Sequence, residues 1–152
     1  MSLPIASGTR RPISPRPATE GAGRGWTARF RDISRRTLLG DATDEAALDF
    51  LVRYFELQAG GYSTLERHQH PHAVVVLRGQ GVVILGDRVD DVTAGDCVYV
   101  APQCFHQFHA NAGEALGFLC VVSRERDRPV LPTAEDLARL RAVPEVARLL
   151  RA

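Results

Sequence analysis

The chain has 152 residues, with 19 Lys and Arg against 18 Asp and Glu for a formal net charge of +1, and 45% of its residues are apolar. That balance suits one globular domain with a single core and gives no bulk electrostatic argument for binding nucleic acid or a membrane surface. Three cysteines without a CxxC pair describe no disulfide framework, no apolar run approaches the roughly 20 residues of a membrane span, and a cytoplasmic protein is the expectation.

Residues 1–25 are rich in Pro, Gly, Ser, Thr and Arg, with almost no large apolar side chains. Such a segment cannot bury enough surface to offset its ordering entropy, so it reads as a flexible arm. Trp26 to Phe30 alternates apolar and polar residues as a first strand would, Arg35 to Leu39 suggests a second, and Asp41 to Glu45 a polar or single helical turn. Phe50 to Leu57 reads as a strand closed by Ala59-Gly60-Gly61.

The next stretch is the most informative. Glu66, His68, His70 and His72 occur at every second position, just before a β-branched run and the Gly79-x-Gly81 turn. Residues two apart in an extended strand share a face, so four metal-ligand types start on one side of the backbone. Imidazole and carboxylate are ligands for zinc, iron, copper and nickel. His106 follows downstream among aromatics, with Cys104 two residues before it, and His109 is expected on the opposite face.

Short strands continue over Val82–Leu85, Arg88–Val92, Cys97–Val100, Gln107–Ala110 and Leu116–Val122, separated by turns at Gly86-Asp87, Ala94-Gly95-Asp96 and Asn111 to Glu114. Strands so closely spaced point to a sandwich or barrel. Tyr54, Leu77, Phe108 and Phe118 are candidate core residues, and Cys97 and Cys120 candidate buried thiols. Thr133 is a candidate N-cap for a helix with Leu137, Leu140 and Val143 on one face, and Pro144 opens a second. The expected organisation is an arm over 1–25, a barrel over 26–130 and helices over 131–152.

Over roughly residues 50–123 the pattern resembles the cupin superfamily, small single-domain conserved-barrel proteins. The family's first motif has Gly, five residues, His-x-His, three or four residues, Glu, six residues and Gly. Here the spacing runs Gly60, Glu66-x-His68, His72, Gly79, with the first His and the Glu exchanged. The second motif is matched at Gly95-Asp96 and His106; Ala101, Gln103 and Ala110 depart from it. The alternative register, pairing His68 with His70, would put Val74 at the third-ligand position.

The resemblance implies a jelly-roll β-barrel, all-β with a short C-terminal helical tail. It also implies a divalent transition metal (Fe, Mn, Ni, Cu or Zn) held by Glu66, His68, His72 and His106. On that basis the expected activity is a metal-dependent oxygenase, lyase or isomerase acting on a small chelating molecule, with Glu66 as a catalytic base and a dioxygenase-like oxidoreductase among the options. The alternative is a non-catalytic module that senses a small molecule or metal. A homodimer is the oligomeric expectation from the family. Glu66 could instead pair with Arg53 or Arg67.

Overall fold

The structure, a computed structural model, describes residues 30–152. The arm over 1–25 and all of the strand expected from Trp26 except Phe30 lie outside that range, and Phe30 itself is not in a strand. Eight strands follow: β1 (Arg31–Leu39), β2 (Phe50–Tyr62), β3 (His72–Arg78), β4 (Gln80–Leu85), β5 (Arg88–Thr93), β6 (Cys97–Val100), β7 (His106–Ala110) and β8 (Leu116–Ser123). A 3-10 turn (Thr43–Glu45) separates β1 from β2, and two helices, α1 (Ala134–Arg141) and α2 (Pro144–Leu149), come last. The strands form one curled antiparallel sheet in the order β5-β4-β7-β2-β8-β3-β6, with β1 also paired to β2.

β2 corrects one sequence expectation. It does not close at Gly60-Gly61 but continues to Tyr62, changing partner from β8, which it meets from Phe50 to Leu57, to β7 at Tyr62↔His109. Gly60 takes φ +70°, and a Cβ on Gly61 would lie 2.8 Å from the Arg31 carbonyl oxygen. The glycines therefore bend the strand rather than end it, because only glycine tolerates this backbone and this close approach.

Alternation along the strands sorts the side chains. Leu57, Val74, Val76, Val83, Phe108, Leu116 and Phe118 fill the core, where Phe118 stacks on Phe55 and Phe108 at centroid distances of 5.4 and 4.7 Å. Leu77 is not a core residue, since Val74 and Val76 take the interior positions of β3 and leave it 40% exposed. Cys97 is likewise exposed on β6, whereas Cys120 is buried.

The helices cover the outside of the sheet. Leu140, Val146 and Leu150 pack with Leu65, Ile84 and Phe105 in a second apolar cluster. The Thr133 hydroxyl accepts the Asp136 N–H at 3.1 Å, the N-cap its sequence suggested, and the Asp136 carboxylate in return accepts the Thr133 N–H at 3.0 Å. Buried Gln107 donates to the carbonyls of Ser63 and Arg151 at 2.8 Å each and accepts the Arg151 N–H at 3.0 Å, pinning the segment after α2 to β7. Among the described residues no helix is long and apolar enough to cross a membrane.

Candidate metal centre

The His-rich stretch is not one extended strand. Residues 63–71 form a connection with bridges only at Glu66↔His106 and Arg67↔Val130, and β3 begins at His72. The side chains still converge, because the Glu66 bridge lays the connection against the start of β7. His68, His72 and His106 each present one ligand atom within 4.8 Å of the others. Their rings lie 4.6 to 5.2 Å apart by centroid, and all three are buried.

The surroundings define how each ring is held. His106 Nδ1 lies 3.0 Å from the Cys104 carbonyl oxygen and so carries the proton, leaving Nε2 as the free donor atom. His72 Nδ1 lies 3.4 Å from Cys120 Sγ. His68 is buried, and neither of its ring nitrogens has a hydrogen-bond partner. Glu66 Oε1 stands 3.4 Å from His68 Nε2 without hydrogen-bond geometry, so the carboxylate faces the cluster rather than Arg53 or Arg67.

Burial, reinforced by the neighbouring histidines, lowers the His72 pKa to about 3. Burial also lowers that of His106, against the opposing pull of the Cys104 carbonyl and Glu66. Both rings are thus neutral at ordinary pH, the form in which imidazole coordinates a metal. Three buried imidazoles, one of them with both nitrogens orphaned, beside a carboxylate form a donor set that suits a divalent transition metal. An orphaned buried polar group costs about 1–3 kcal/mol, which coordination would remove. The residues present fit a metal ion.

His70, whose direction the sequence left open, also turns toward the cluster. Its Nε2 is 3.1 Å from His72 Nε2, while its Nδ1 is 2.5 Å from Asp127 Oδ1. Asp127 further accepts the N–H groups of Gln69 at 2.8 Å and His70 at 3.2 Å. Burial opposes its charge, but these donors outweigh it and hold the carboxyl well below the usual range. His68, His70 and Asp127 make a second convergent group. His109 stays apart, its Nε2 3.1 Å from Gln107 Oε1.

Three participants escaped the sequence reading. Asp127 lies far along the chain in an irregular segment with no motif to mark it. Cys120 had only its apolar neighbours, which suggested inert packing; burial raises its pKa to about 11, with Arg53 pulling the other way. Arg53 stands out in the sequence only as an ion-pair partner for Glu66, yet the β2–β8 register sets it opposite Cys120. Strand parity could have placed both on one face once the two strands were known to pair.

Residues 53–122 match the protein-family model described as Cupin domain. The chain is 48% identical over 124 residues to the 1-methylthio-D-xylulose 5-phosphate methylsulfurylase of Rhodospirillum rubrum, covering 82% of this chain and 77% of that protein. Among solved structures it is similar to a cupin 2 domain-containing protein from Halorhodospira halophila, with 51% identity, a TM-score of 0.76, and 79% and 83% of the two chains covered. A cupin 2 conserved barrel domain protein from Rhodopseudomonas palustris is 49% identical with a TM-score of 0.77, over 85% and 86%.

Proposed function

The chain belongs to the cupin family, and from that premise we propose that it is a metal-dependent enzyme that removes the methylsulfanyl group from 1-methylthio-D-xylulose 5-phosphate or a close analogue. The observation that carries the metal dependence is the buried His68, with two unsatisfied nitrogens amid His72, His106 and Glu66. The substrate follows from the similarity to the methylsulfurylase. It is also chemically apt: a ketose offers a carbonyl and an adjacent hydroxyl that chelate a cation.

Glu66, His68, His72 and His106 are the proposed ligands, with His70, held by Asp127, facing His72 Nε2. A divalent ion bound there supplies Lewis-acid polarisation of the chelated carbonyl. Glu66 is 27% exposed by its side chain, the most open member of the set, and is the proposed base that takes the Cys120 thiol proton and returns it to the carbon that loses sulfur. Cys120 presents a thiol on the same interior face. Where His72 Nδ1 carries the proton it donates to Cys120 Sγ, which stabilises the thiolate against the burial that raises its pKa.

That sulfur is the proposed acceptor. Attack on the substrate sulfur forms an S–S bond and breaks the C–S bond, whose electron pair passes toward the carbonyl and is finally taken up with a proton at carbon. Cys120 is left as a methyl disulfide, which a second thiol must reduce.

The test uses protein purified without a polyhistidine tag, with metal content measured first. It is then incubated with 1-methylthio-D-xylulose 5-phosphate and a small thiol, and the sugar and sulfur products are followed by mass spectrometry. Near-stoichiometric metal, with loss of the methylsulfanyl group in wild type and not in His106→Ala, is the expected result. Bound metal and bound sugar with no product would favour the non-catalytic binding module. Absence of metal after reconstitution would remove the basis of the reading.

A further inference from the structure

Arg53 stands on β2 opposite Cys120 of β8 and opposite Thr37 of β1. The β1–β2 register, with Arg35 opposite Phe55, makes Arg35 a diagonal neighbour of Arg53 on the same face. Through Cys120, whose sulfur touches the His72 ring, Arg53 borders the histidine cluster. Among the described residues no carboxylate lies within ion-pair distance of it, and its buried Nε has no hydrogen-bond partner. Glu66, the carboxylate that acts on it, stands against His68, and Glu56, on the opposite face of β2, is engaged by Tyr54 and Arg78 at 2.6 Å each.

The neighbours of Arg53 include cations. Burial, then Arg126, then Arg35 draw its pKa down to about 10, and the opposing pull of Cys120 and Glu66 is weaker. Arg126 precedes Asp127, the residue that holds His70, so the same segment borders both groups. A half-buried guanidinium that faces like charges without a counter-anion is costly unless a ligand supplies one. Its planar fork matches the two oxygens of a phosphate monoester, and further cations beside it would add attraction for a dianion.

We propose that Arg53, flanked by Arg35 and Arg126, is an oxyanion subsite beside the histidine cluster that takes the phosphate group of the substrate. The assignment rests on the sugar-phosphate reading above and deepens it. The histidines would hold the carbonyl end and Arg53 the phosphate end, so the two groups together fix which way round the substrate lies.

The test is calorimetric titration of the metal-containing protein with D-xylulose 5-phosphate, D-xylulose and inorganic phosphate, with metal content measured for every variant. In wild type the phosphorylated sugar is expected to bind at least about tenfold more tightly than the unphosphorylated one. Arg53→Gln should reduce that advantage to less than about threefold at unchanged metal content, and Arg53→Lys should keep part of it. Arg126→Ala, at an exposed position, should weaken the phosphorylated sugar by a few-fold and leave D-xylulose unaffected.

An undiminished phosphate advantage in Arg53→Gln, or none in wild type, overturns the proposal. So does a loss that accompanies loss of metal. Should Arg53→Gln not fold, an unchanged advantage in both Arg53→Lys and Arg126→Ala overturns it equally. Failure of the broader reading looks different. Arg53-dependent binding of D-xylulose 5-phosphate without turnover of the methylthio sugar leaves the subsite standing and removes the sulfur chemistry. Turnover with a phosphate advantage indifferent to Arg53 does the reverse.

Discussion

Replacing His68 by leucine is expected to separate a metal ligand from a packed residue, because the two roles predict opposite effects in the metal-free protein. His68 is 6% exposed and both its nitrogens lack partners, so metal-free wild type carries a penalty of about 1–3 kcal/mol. Leucine has similar bulk and no polar atoms, so metal-free His68→Leu should be no less stable than metal-free wild type and up to a few degrees higher in melting temperature. Metal should then act only on wild type. At a free concentration 100 times Kd, binding adds about 2.7 kcal/mol. For a chain of this size each kcal/mol moves the midpoint by roughly 2–4 °C, so wild type should gain roughly 5–11 °C on metal addition.

The assay is thermal melting by circular dichroism after chelator treatment, with and without added Mn, Fe, Ni or Zn. Wild type should gain stability with at least one metal, and His68→Leu should respond by less than about 2 °C. A preserved metal response in the variant would refute the ligand role. A metal-free variant more than about 1 kcal/mol less stable than wild type would refute the penalty argument, and would mean that His68 is satisfied in a way its surroundings do not reveal.

Cys120→Ser keeps a hydrogen-bonding partner for His72 Nδ1 but removes the thiol. It should retain metal and lose turnover of the methylthio sugar by at least about a hundredfold, whereas near-normal turnover would confine Cys120 to holding His72 in place. His109 has its pKa lowered to about 4, first by burial and then by Arg151, so the folded state favours the neutral ring. Its contribution to stability is therefore complete above the unfolded value of about 6.5 and fades as pH falls toward 4. His109→Gln should flatten the metal-free stability profile across that window, and an unchanged slope would count against this assignment. A Cβ at Gly81 would lie 2.1 Å from the His109 carbonyl oxygen, a backbone atom of the neighbouring strand β7. Gly81→Ala should thus cost more than the roughly 0.5–3 kcal/mol of an ordinary substitution, read from denaturant unfolding.

The sequence made legible whatever depends on local period and turn chemistry. Strands from Phe50 onward, the Thr133 cap and the Pro144 helix start all appear where alternation, glycine turns and capping residues placed them. The errors share one cause: tertiary contacts override local signals. Gly60-Gly61 looked like a strand end because composition cannot reveal that β1 passes too close for a side chain. Leu77 and Cys97 looked buried because apolar runs do not announce their parity until the partner strand is known. In the site, His68, His72 and His106 converge although the argument that brought His68 and His72 together assumed a continuous strand that does not form. The spacing was right for a different reason, since a bridged connection can deliver side chains to one place as a strand would.

Strand parity accounts for the rest of the site. On β2 the odd positions Arg53, Phe55 and Leu57 alternate with Tyr54 and Glu56, so a single strand presents two different chemistries on its two faces. On one face, Glu56 accepts from Tyr54, Arg78 and Gln58, and together with the Arg78 charge these donors outweigh the burial that opposes its charge, holding its carboxyl below the ordinary range. That network is satisfied and has no need of a ligand. On the other face, Arg53 has an unpaired buried nitrogen and, across Cys120, borders His72, which packs on His68 with its two unpaired nitrogens. A fold that completes the polar bonding of one face while leaving cationic and lone-pair groups unmatched on the other concentrates its uncompensated cost at one place. The unmatched groups specify their complements: unpartnered imidazole nitrogens call for a cation, and an unpaired guanidinium calls for an oxyanion. A metal with a chelating sugar phosphate would supply both, which is why the His68 and Arg53 experiments test separate halves of one site.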